Sequence, residues 1–224
     1  MEVNNPLYEK IGIHLIASIF TVEKGIVKVL LIRRSNEPYK DKWALVGGSL
    51  YNNEELEAGM KREIFEKTGI EGISVSMFDS FSNLDRSPIQ RMIALAYIGV
   101  IDSHKVNILK ETLKTSDADW FPLDKVPELA YDHEKILNSA IAELKIRIVK
   151  SDILKSLYPS GFTMPEIQKV YETILEKQFD KRNFRKKLLS LDIIEATNKY
   201  EKFEGRKPAK LFRFKRSNKI KSVL

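Results

Sequence analysis

The sequence predicts a mixed α/β domain of the α/β/α sandwich type over residues 1–149, followed by a smaller winged helix-turn-helix domain over residues 150–224. Segments of strand-like and helical periodicity alternate in the first part, whereas the second part runs from three helices into two strands. Charge divides the chain at the same place. Residues 1–150 hold 20 basic and 22 acidic residues, a net charge of −2, and residues 151–224 hold 18 and 9, a net charge of +9. This asymmetry predicts a second domain that faces a polyanion.

Composition restricts the possible classes of protein. The chain of 224 residues has no cysteine, which excludes disulfides and cysteine metal sites and favours a reducing compartment. Its three histidines, His14, His104 and His133, stand far apart, which argues against a histidine metal cluster. The start of the chain lacks the apolar segment of a signal peptide, and no apolar run approaches the ~20 residues of a membrane span. We therefore expect a cytoplasmic protein with no membrane partner.

The first domain is predicted to begin with a β-hairpin. Residues 11–22 and 26–34 are apolar and β-branched, and a short turn separates them. Residues 54–68 have the composition and spacing of a helix that Gly69 ends as a C-cap. The remaining elements are predicted as strands at 72–82, 91–101 and 118–123 and a helix at 133–149.

The second domain is predicted to hold three helices and a hairpin. A short helix covers 151–157, and Thr163 with Glu166 forms a capping box that opens a helix running to residue 177. Asp180 can cap a third helix over 181–190, and a strand, a basic loop and a strand follow. This order is typical of a winged helix, in which the second and third helices form the helix-turn-helix.

A motif of 23 consecutive residues carries the chemistry of the first domain. It has the form G-x5-E-x7-R-E-U-x-E-x-x-G-U, where U is aliphatic, and it resembles the Nudix box. The resemblance implies the Nudix sandwich fold and a pyrophosphohydrolase ancestry, and Trp43-x-Leu-x-Gly47-Gly48 fits the segment before the box. The matching positions are Gly48, Glu54, Arg62, Glu63, Ile64, Glu66, Gly69 and Ile70.

One position departs from the pattern of an active Nudix box. Such a box places a third glutamate directly after the second, so that carboxylates on one helix face hold Mg²⁺ against a pyrophosphate. Lys67 stands there instead and puts an ammonium four residues from Glu63. We expect hydrolysis to be lost or weak, with Mg²⁺ bound only if the box still functions, through Glu63 and Glu66. A solvated Glu63–Lys67 ion pair is the alternative. The vestigial or weak catalytic set is then Glu54, Arg62, Glu63 and Glu66.

A narrower resemblance covers nearly the whole chain. Residues 84–91, 93–97, 120–123 and 131–133, together with 180–187 in the second domain, are similar to Nudix-related transcription regulators of the NrtR and AraR type. The resemblance implies a Nudix domain that senses an ADP-ribose-like nucleotide sugar or a sugar. Asp85 and Arg86 could instead shape a turn, and His133 could be a ligand, a base or a structural residue at a helix start. The candidate effector-binding residues are Arg33, Trp43, Gly47, Gly48, Asp85, Arg86 and Arg91.

The third helix of the second domain carries the residue types that read DNA. Phe184, Leu188 and Leu191 are predicted to face the core, which leaves the basic side chains and Asn183 outside. Arg and Asn suit base edges in the major groove, and Lys suits phosphates. A basic, solvated hairpin is the alternative for the wing. The candidate DNA-binding residues are Lys181, Arg182, Asn183, Arg185 and Lys186 on the helix and Arg206, Lys207 and Lys210 on the wing.

These features favour a transcription regulator that binds double-stranded DNA, as a homodimer on a palindrome, and whose degenerate Nudix domain senses a small effector. The alternative is an active Mg²⁺-dependent Nudix hydrolase of ADP-ribose or a related nucleoside diphosphate derivative. A weaker third interpretation makes the basic domain an adaptor for RNA or protein.

Overall fold

A computed structural model describes residues 11–23, 25–149, 152–158, 160–201 and 207–215 of the chain. All elements predicted from the sequence are present, with bounds that differ by a few residues. The first domain contains β1 (Gly12–Glu23), β2 (Ile26–Arg34), β3 (Trp43–Ser49), α1 (Leu56–Thr68), β4 (Val75–Phe81), β5 (Met92–Val100), β6 (Thr115–Pro122) and α2 (His133–Val149). The second contains α3 (Asp152–Leu157), β7 (Phe162–Thr163), α4 (Met164–Leu175), α5 (Lys181–Ser190), β8 (Ile194–Glu201) and β9 (Ala209–Phe214).

The first domain is built on a six-stranded mixed sheet in the order β4-β5-β1-β3-β2-β6. The predicted hairpin is confirmed, because β1 and β2 pair antiparallel with Phe20 opposite Val29. Strands β1 and β5 run parallel, and the other pairings are antiparallel. Strand β3, which periodicity alone did not predict, lies between β1 and β2 and brings Gly47 and Gly48 opposite the start of β1.

Helices cover both faces of this sheet. Alternate residues of a strand point to opposite faces, so Leu15 packs with Met60 and Ile64 of α1, whereas Ile16 packs with the apolar stripe of α2. The layers are therefore helix, sheet and helix, as the sandwich prediction required. Helix α1 ends at Gly69, whose positive φ of 71° allows its N–H to donate to the Phe65 carbonyl.

The second domain is a winged helix. The predicted capping box is present: the Thr163 hydroxyl accepts from the Glu166 N–H, and the Glu166 carboxylate accepts from the Thr163 N–H. Asp180 caps α5 by accepting from the Asn183 N–H. Strands β7, β9 and β8 form a small antiparallel sheet beside the helices. The tip of the wing, residues 202–206, lies outside the described residues, and with it the candidate Arg206.

The two domains share one continuous apolar core. The cluster that lies between the sheet and α2 extends through Ile148, Leu154 and Leu157 to the interior of the winged helix. Polar contacts cross the junction as well: Thr173 Oγ1 donates to the Gly25 carbonyl at 2.8 Å. Among the described residues, none of the helices combines the length and the apolar character needed to cross a membrane.

Candidate functional site

The glycines before α1 let the Nudix box helix approach the sheet closely. A Cβ on Gly48 would lie 2.3 Å from Glu63 Oε2, and one on Gly47 would lie 2.2 Å from the Leu15 carbonyl oxygen. No other residue type fits at either position without displacement of its neighbours. Of these two predicted effector-site residues, Gly48 therefore lies against the buried Glu63 carboxylate, and Gly47 lies against the backbone of β1.

Arg62 joins the carboxylates of the box. Its guanidinium donates to both oxygens of Glu54, at 2.8 and 2.5 Å, and to Glu63 Oε1 at 2.6 Å. It also reaches Glu66 at 3.3 Å and stacks over the Tyr51 ring at 3.8 Å. The Arg62 hydrogen bonds lower the pKa of Glu54 to about 2. The structure thus brings together all four predicted catalytic residues.

Lys67 is turned inward rather than toward solvent. Its buried Nζ donates to the Gly47 carbonyl oxygen and lies 3.2 Å from Glu63 Oε2. Burial lowers the pKa of Lys67, and the Glu63 carboxylate opposes this change. The exposed, solvated ion pair that was one interpretation of this sequence spacing is therefore not what the structure contains.

A further cation, Lys114, reaches the box from the loop before β6. Its Nζ lies 2.7 Å from Glu66 Oε2 and donates to the Tyr51 hydroxyl at 3.3 Å. The hydrogen bond to Glu66 raises the pKa of Lys114 and lowers that of Glu66. Sequence reasoning missed this residue because 48 positions separate the two partners and no pattern joins them.

The carboxylates of the box do not fit a site for Mg²⁺ as they stand. A divalent cation needs oxygen ligands that face it and are not already neutralised. Here Glu54, Glu63 and Glu66 each meet a cationic side chain of the same protein. Among the described residues, no group of three or more acidic, histidine or cysteine side chains is arranged to hold a metal ion.

An aromatic and cationic cluster lies next to the box. The Tyr131 ring contacts Tyr39 at 4.6 Å and His14 at 6.3 Å between centroids, and the Arg34 guanidinium lies 5.0 Å from the Tyr131 centroid. Burial, and then the positive charges of Arg86, Lys67 and Arg34, lower the pKa of His14 to about 4. Three cationic side chains thus act on His14, and the Glu63 carboxylate opposes them.

Arg86 and Arg91 are both held by the protein. Arg86 is buried and forms a bidentate pair with Asp132, with N–O distances of 3.1 and 2.9 Å. Its Nη1 has no hydrogen-bond partner among the described residues. Arg91 donates to the carbonyls of Ser82 and Asn83, at 2.7 and 2.9 Å, and so closes the 82–91 loop.

The remaining effector candidates lie away from the box. The exposed Arg33 donates to the Asp41 carbonyl at 3.0 Å, and Trp43 packs edge-to-face on Phe121 on the α2 side of the sheet. Asp85 is exposed in the turn between Asn83 and Arg86. It is Arg34, the neighbour of Arg33, that reaches the aromatic cluster.

His133 has a structural contact. Its buried Nδ1 accepts a hydrogen bond from the Leu45 N–H at 3.0 Å. Burial, followed by the positive charge of Arg86, lowers its pKa well below the ordinary value. A neutral imidazole therefore links the start of α2 to the centre of the sheet, in agreement with the structural alternative for this residue.

The outer face of α5 is a band of exposed polar and basic side chains. Phe184 and Leu188 are buried, as predicted, and Leu191 lies just inside the same core. Arg185 lies 5.7 Å from the Phe212 ring of β9, which couples the helix to the wing sheet. The exposed candidates are Lys181, Arg182, Asn183, Arg185 and Lys186 on the helix and Lys207 and Lys210 beside the wing.

Comparison with known proteins identifies both domains. The family profile of the NUDIX domain matches residues 13–142, and that of the NrtR DNA-binding winged helix domain matches residues 155–214. The ADPR responsive transcriptional repressor NtrR of Acinetobacter baylyi is 32% identical over 201 residues, which cover 88% of this chain and 79% of that protein. The chain belongs to the NrtR family of Nudix-related regulators.

Solved structures of NrtR from Shewanella oneidensis are similar to this chain. The complex of that protein with a 27mer DNA aligns with a TM-score of 0.76 at 26% identity, over 91% of this chain and 93% of that one. Its NUDIX domain in complex with ADP ribose aligns with a TM-score of 0.56 at 25% identity, over 62% and 93%. The fold and the pairing of domains in this NrtR-family protein are thus those predicted from its sequence.

Proposed function

We propose that this NrtR-family protein is an ADP-ribose-responsive transcriptional repressor that binds operator DNA through its winged helix domain. The observation that carries the proposal is similarity over both domains at once: the Acinetobacter repressor matches 88% of the chain, not one domain of it. The exposed basic face of α5 and the positive environment of His14 supply a surface for each ligand.

The DNA-binding surface is proposed to be α5 with the adjoining wing. Helix α5 points its apolar side chains inward and leaves Arg182 and Asn183 near its exposed N-terminal end, as in helices that enter the major groove. Lys207 and Lys210 flank the wing and suit phosphates. We propose the domain boundary between residues 149 and 150, a homodimer on a two-fold symmetric operator, and a cytoplasmic location.

The effector site is proposed to lie between the box and the Tyr131 cluster. Arg34, Lys67 and Arg86 all act on His14, and Arg86 keeps Nη1 without a hydrogen-bond partner among the described residues, so an anionic group bound there has a guanidinium donor to meet. The Tyr131 and Tyr39 rings offer faces on which a base can stack. Gly47 and Gly48 allow a ligand to approach the backbone closely. Arg33, Trp43 and Asp85 lie away from this position and are not part of the proposed site.

The Nudix domain is proposed to bind ADP-ribose without appreciable hydrolysis. Its carboxylates are occupied by Arg62, Lys67 and Lys114, so they are not available to activate water. The test is titration calorimetry of ADP-ribose into the full chain, with the ligand analysed afterwards. Saturable binding of intact ADP-ribose supports the proposal. Rapid conversion to AMP and ribose 5-phosphate in Mg²⁺ establishes the hydrolase alternative instead.

A further inference from the structure

We propose that Lys67 and Lys114 are built-in counter-ions that take the place of the divalent cations of a Nudix box, so that this domain binds its effector without metal. Metal-free binding of the effector rests on the function proposed above. The role of Lys67 and Lys114 as counter-ions rests on the geometry of the box alone. It predicts a site that rejects divalent cations because of one buried ammonium.

Lys67 places its ammonium between two oxygens that could bind a cation. Its side chain begins on the last turn of α1 and folds back between the helix and β3, where Nζ meets the Gly47 carbonyl oxygen and Glu63 Oε2. A backbone carbonyl and a carboxylate are the oxygen ligands that a hard cation takes. The ammonium therefore occupies a cation position made of oxygens, and it is tethered there by its own chain.

The charged side chains around Lys67 balance one another. The three carboxylates Glu54, Glu63 and Glu66 face three cations, which are Arg62, Lys67 and Lys114. The cluster is neutral without any ion from solution. A divalent cation that entered would face the buried Lys67 charge at short range in a poorly screened place, so its binding is strongly disfavoured.

Burial separates the Lys67–Glu63 pair from an ordinary surface ion pair, whereas the Lys114–Glu66 pair is partly exposed. Lys67 is only 9% exposed and Glu63 only 2%. By contrast, the pair Lys61–Glu57 on the same helix has side chains that are 60% and 77% exposed. Surface pairs of that kind contribute little and exclude nothing. Lys61 therefore provides a matched control, with the same helix, the same i,i+4 spacing and the same change of charge.

The test measures binding of Mn²⁺ alone to the full chain by electron paramagnetic resonance of the free ion. The proposal predicts no stoichiometric binding by the unaltered protein, and a gain of roughly tenfold or more in affinity for Lys67→Glu, the scale on which partners of metal ligands act. Lys61→Glu adds the same charge outside the cluster and is expected to behave like the unaltered protein.

Lys67→Gln provides a second variant if the glutamate form does not fold. It keeps an N–H donor for the Gly47 carbonyl and removes the charge, and it is expected to bind Mn²⁺ more weakly than Lys67→Glu but more tightly than the unaltered protein. Stoichiometric binding by the unaltered protein overturns the proposal. Failure of both variants to bind also overturns it, because Lys67 then is not what excludes the ion.

Calorimetry of ADP-ribose in EDTA and in Mg²⁺ tests whether the domain binds its effector without metal. The same affinity in both buffers is expected, and Lys114→Ala is expected to introduce a dependence on Mg²⁺ that Lys110→Ala, at a more exposed pair, does not. Binding only in Mg²⁺ refutes metal-free recognition. The absence of binding in either buffer refutes the proposed effector. The Mn²⁺ experiment then decides by itself whether Lys67 excludes divalent cations.

Discussion

His14 and His133 are the residues at which the structure predicts a dependence of stability on pH. Burial lowers the pKa of both from the ordinary value of 6.5, to about 4 for His14 and well below 6.5 for His133. The unfolded chain takes up a proton on each imidazole as the pH falls below 6.5, whereas the folded protein does not. Stability is therefore complete above pH 6.5 and is lost as the pH falls toward 4, by up to about 1.4 kcal/mol per pH unit for each histidine.

His133→Asn is expected to flatten this dependence. The Asn side chain keeps an oxygen that can accept from the Leu45 N–H, as Nδ1 of His133 does, but it has no proton to gain. Urea unfolding at pH 7 and pH 5 measures the difference. We expect similar stability at pH 7 and a smaller loss at pH 5 for the variant, with the His14 contribution retained in both. An equal loss in both proteins would show that His133 does not titrate in this window.

The residues of the box show what sequence can and cannot predict at this scale. Helical spacing placed Arg62, Glu63 and Glu66 together, because it is local, whereas Glu54 lies before α1 and was grouped with them by the motif. It also predicted that the ammonium of Lys67 lies near Glu63. The Gly47 carbonyl and Lys114 could not be predicted as partners of the box, because these contacts depend on how β3 and the loop before β6 pack against α1.

Helix α5 is the element that is proposed to contact the bases of the DNA. Arg182→Ala is expected to cost roughly 1–3 kcal/mol on the cognate duplex and little on a scrambled one, because a bidentate contact to a base is lost. Fluorescence anisotropy with both duplexes measures it. Lys187→Ala is the control, because Lys187 is also basic and exposed but lies in the last turn of the same helix. Equal losses on both duplexes for Arg182→Ala would assign it to a phosphate instead.

Most elements were predictable because their signals are local. The capping box at Thr163, the cap at Asp180 and the glycine at position 69 mark helix ends in the sequence itself. Strand β3 was not predicted, because two of its seven residues are glycines, which favour no strand by themselves. Segment β3 becomes a strand because it pairs with β1 and β2 on either side. Such tertiary pairing does not require a periodic pattern in the sequence of the strand itself.

For the whole molecule, we propose that an effector alters DNA binding through the junction between the domains. The apolar core runs through it without interruption, and Lys145 pairs with Glu176 across it at 3.0 Å. The charge asymmetry of the sequence predicted two domains. It could not predict their docking, because α4 and β2, which contact each other, lie far apart in the sequence and no local pattern joins them.

Thr173→Val is expected to weaken the coupling between the two ligands. The substitution keeps the shape of the side chain and removes the hydrogen bond to the Gly25 carbonyl, a contribution of about 1 kcal/mol to docking. The ratio of DNA affinities with and without ADP-ribose measures the coupling. A smaller ratio is expected, with the affinity for ADP-ribose alone unchanged. An unchanged ratio would place the route of coupling elsewhere.

The proposed function joins effector sensing to sequence-specific DNA binding in one chain. The most direct measurement is fluorescence anisotropy of a duplex from the upstream region of the protein's own gene, against a scrambled duplex at the same salt concentration, with and without ADP-ribose. We expect tighter binding to the first duplex and a change in that affinity when ADP-ribose is added. Equal binding to both duplexes, or an affinity that ADP-ribose leaves unchanged, would contradict it.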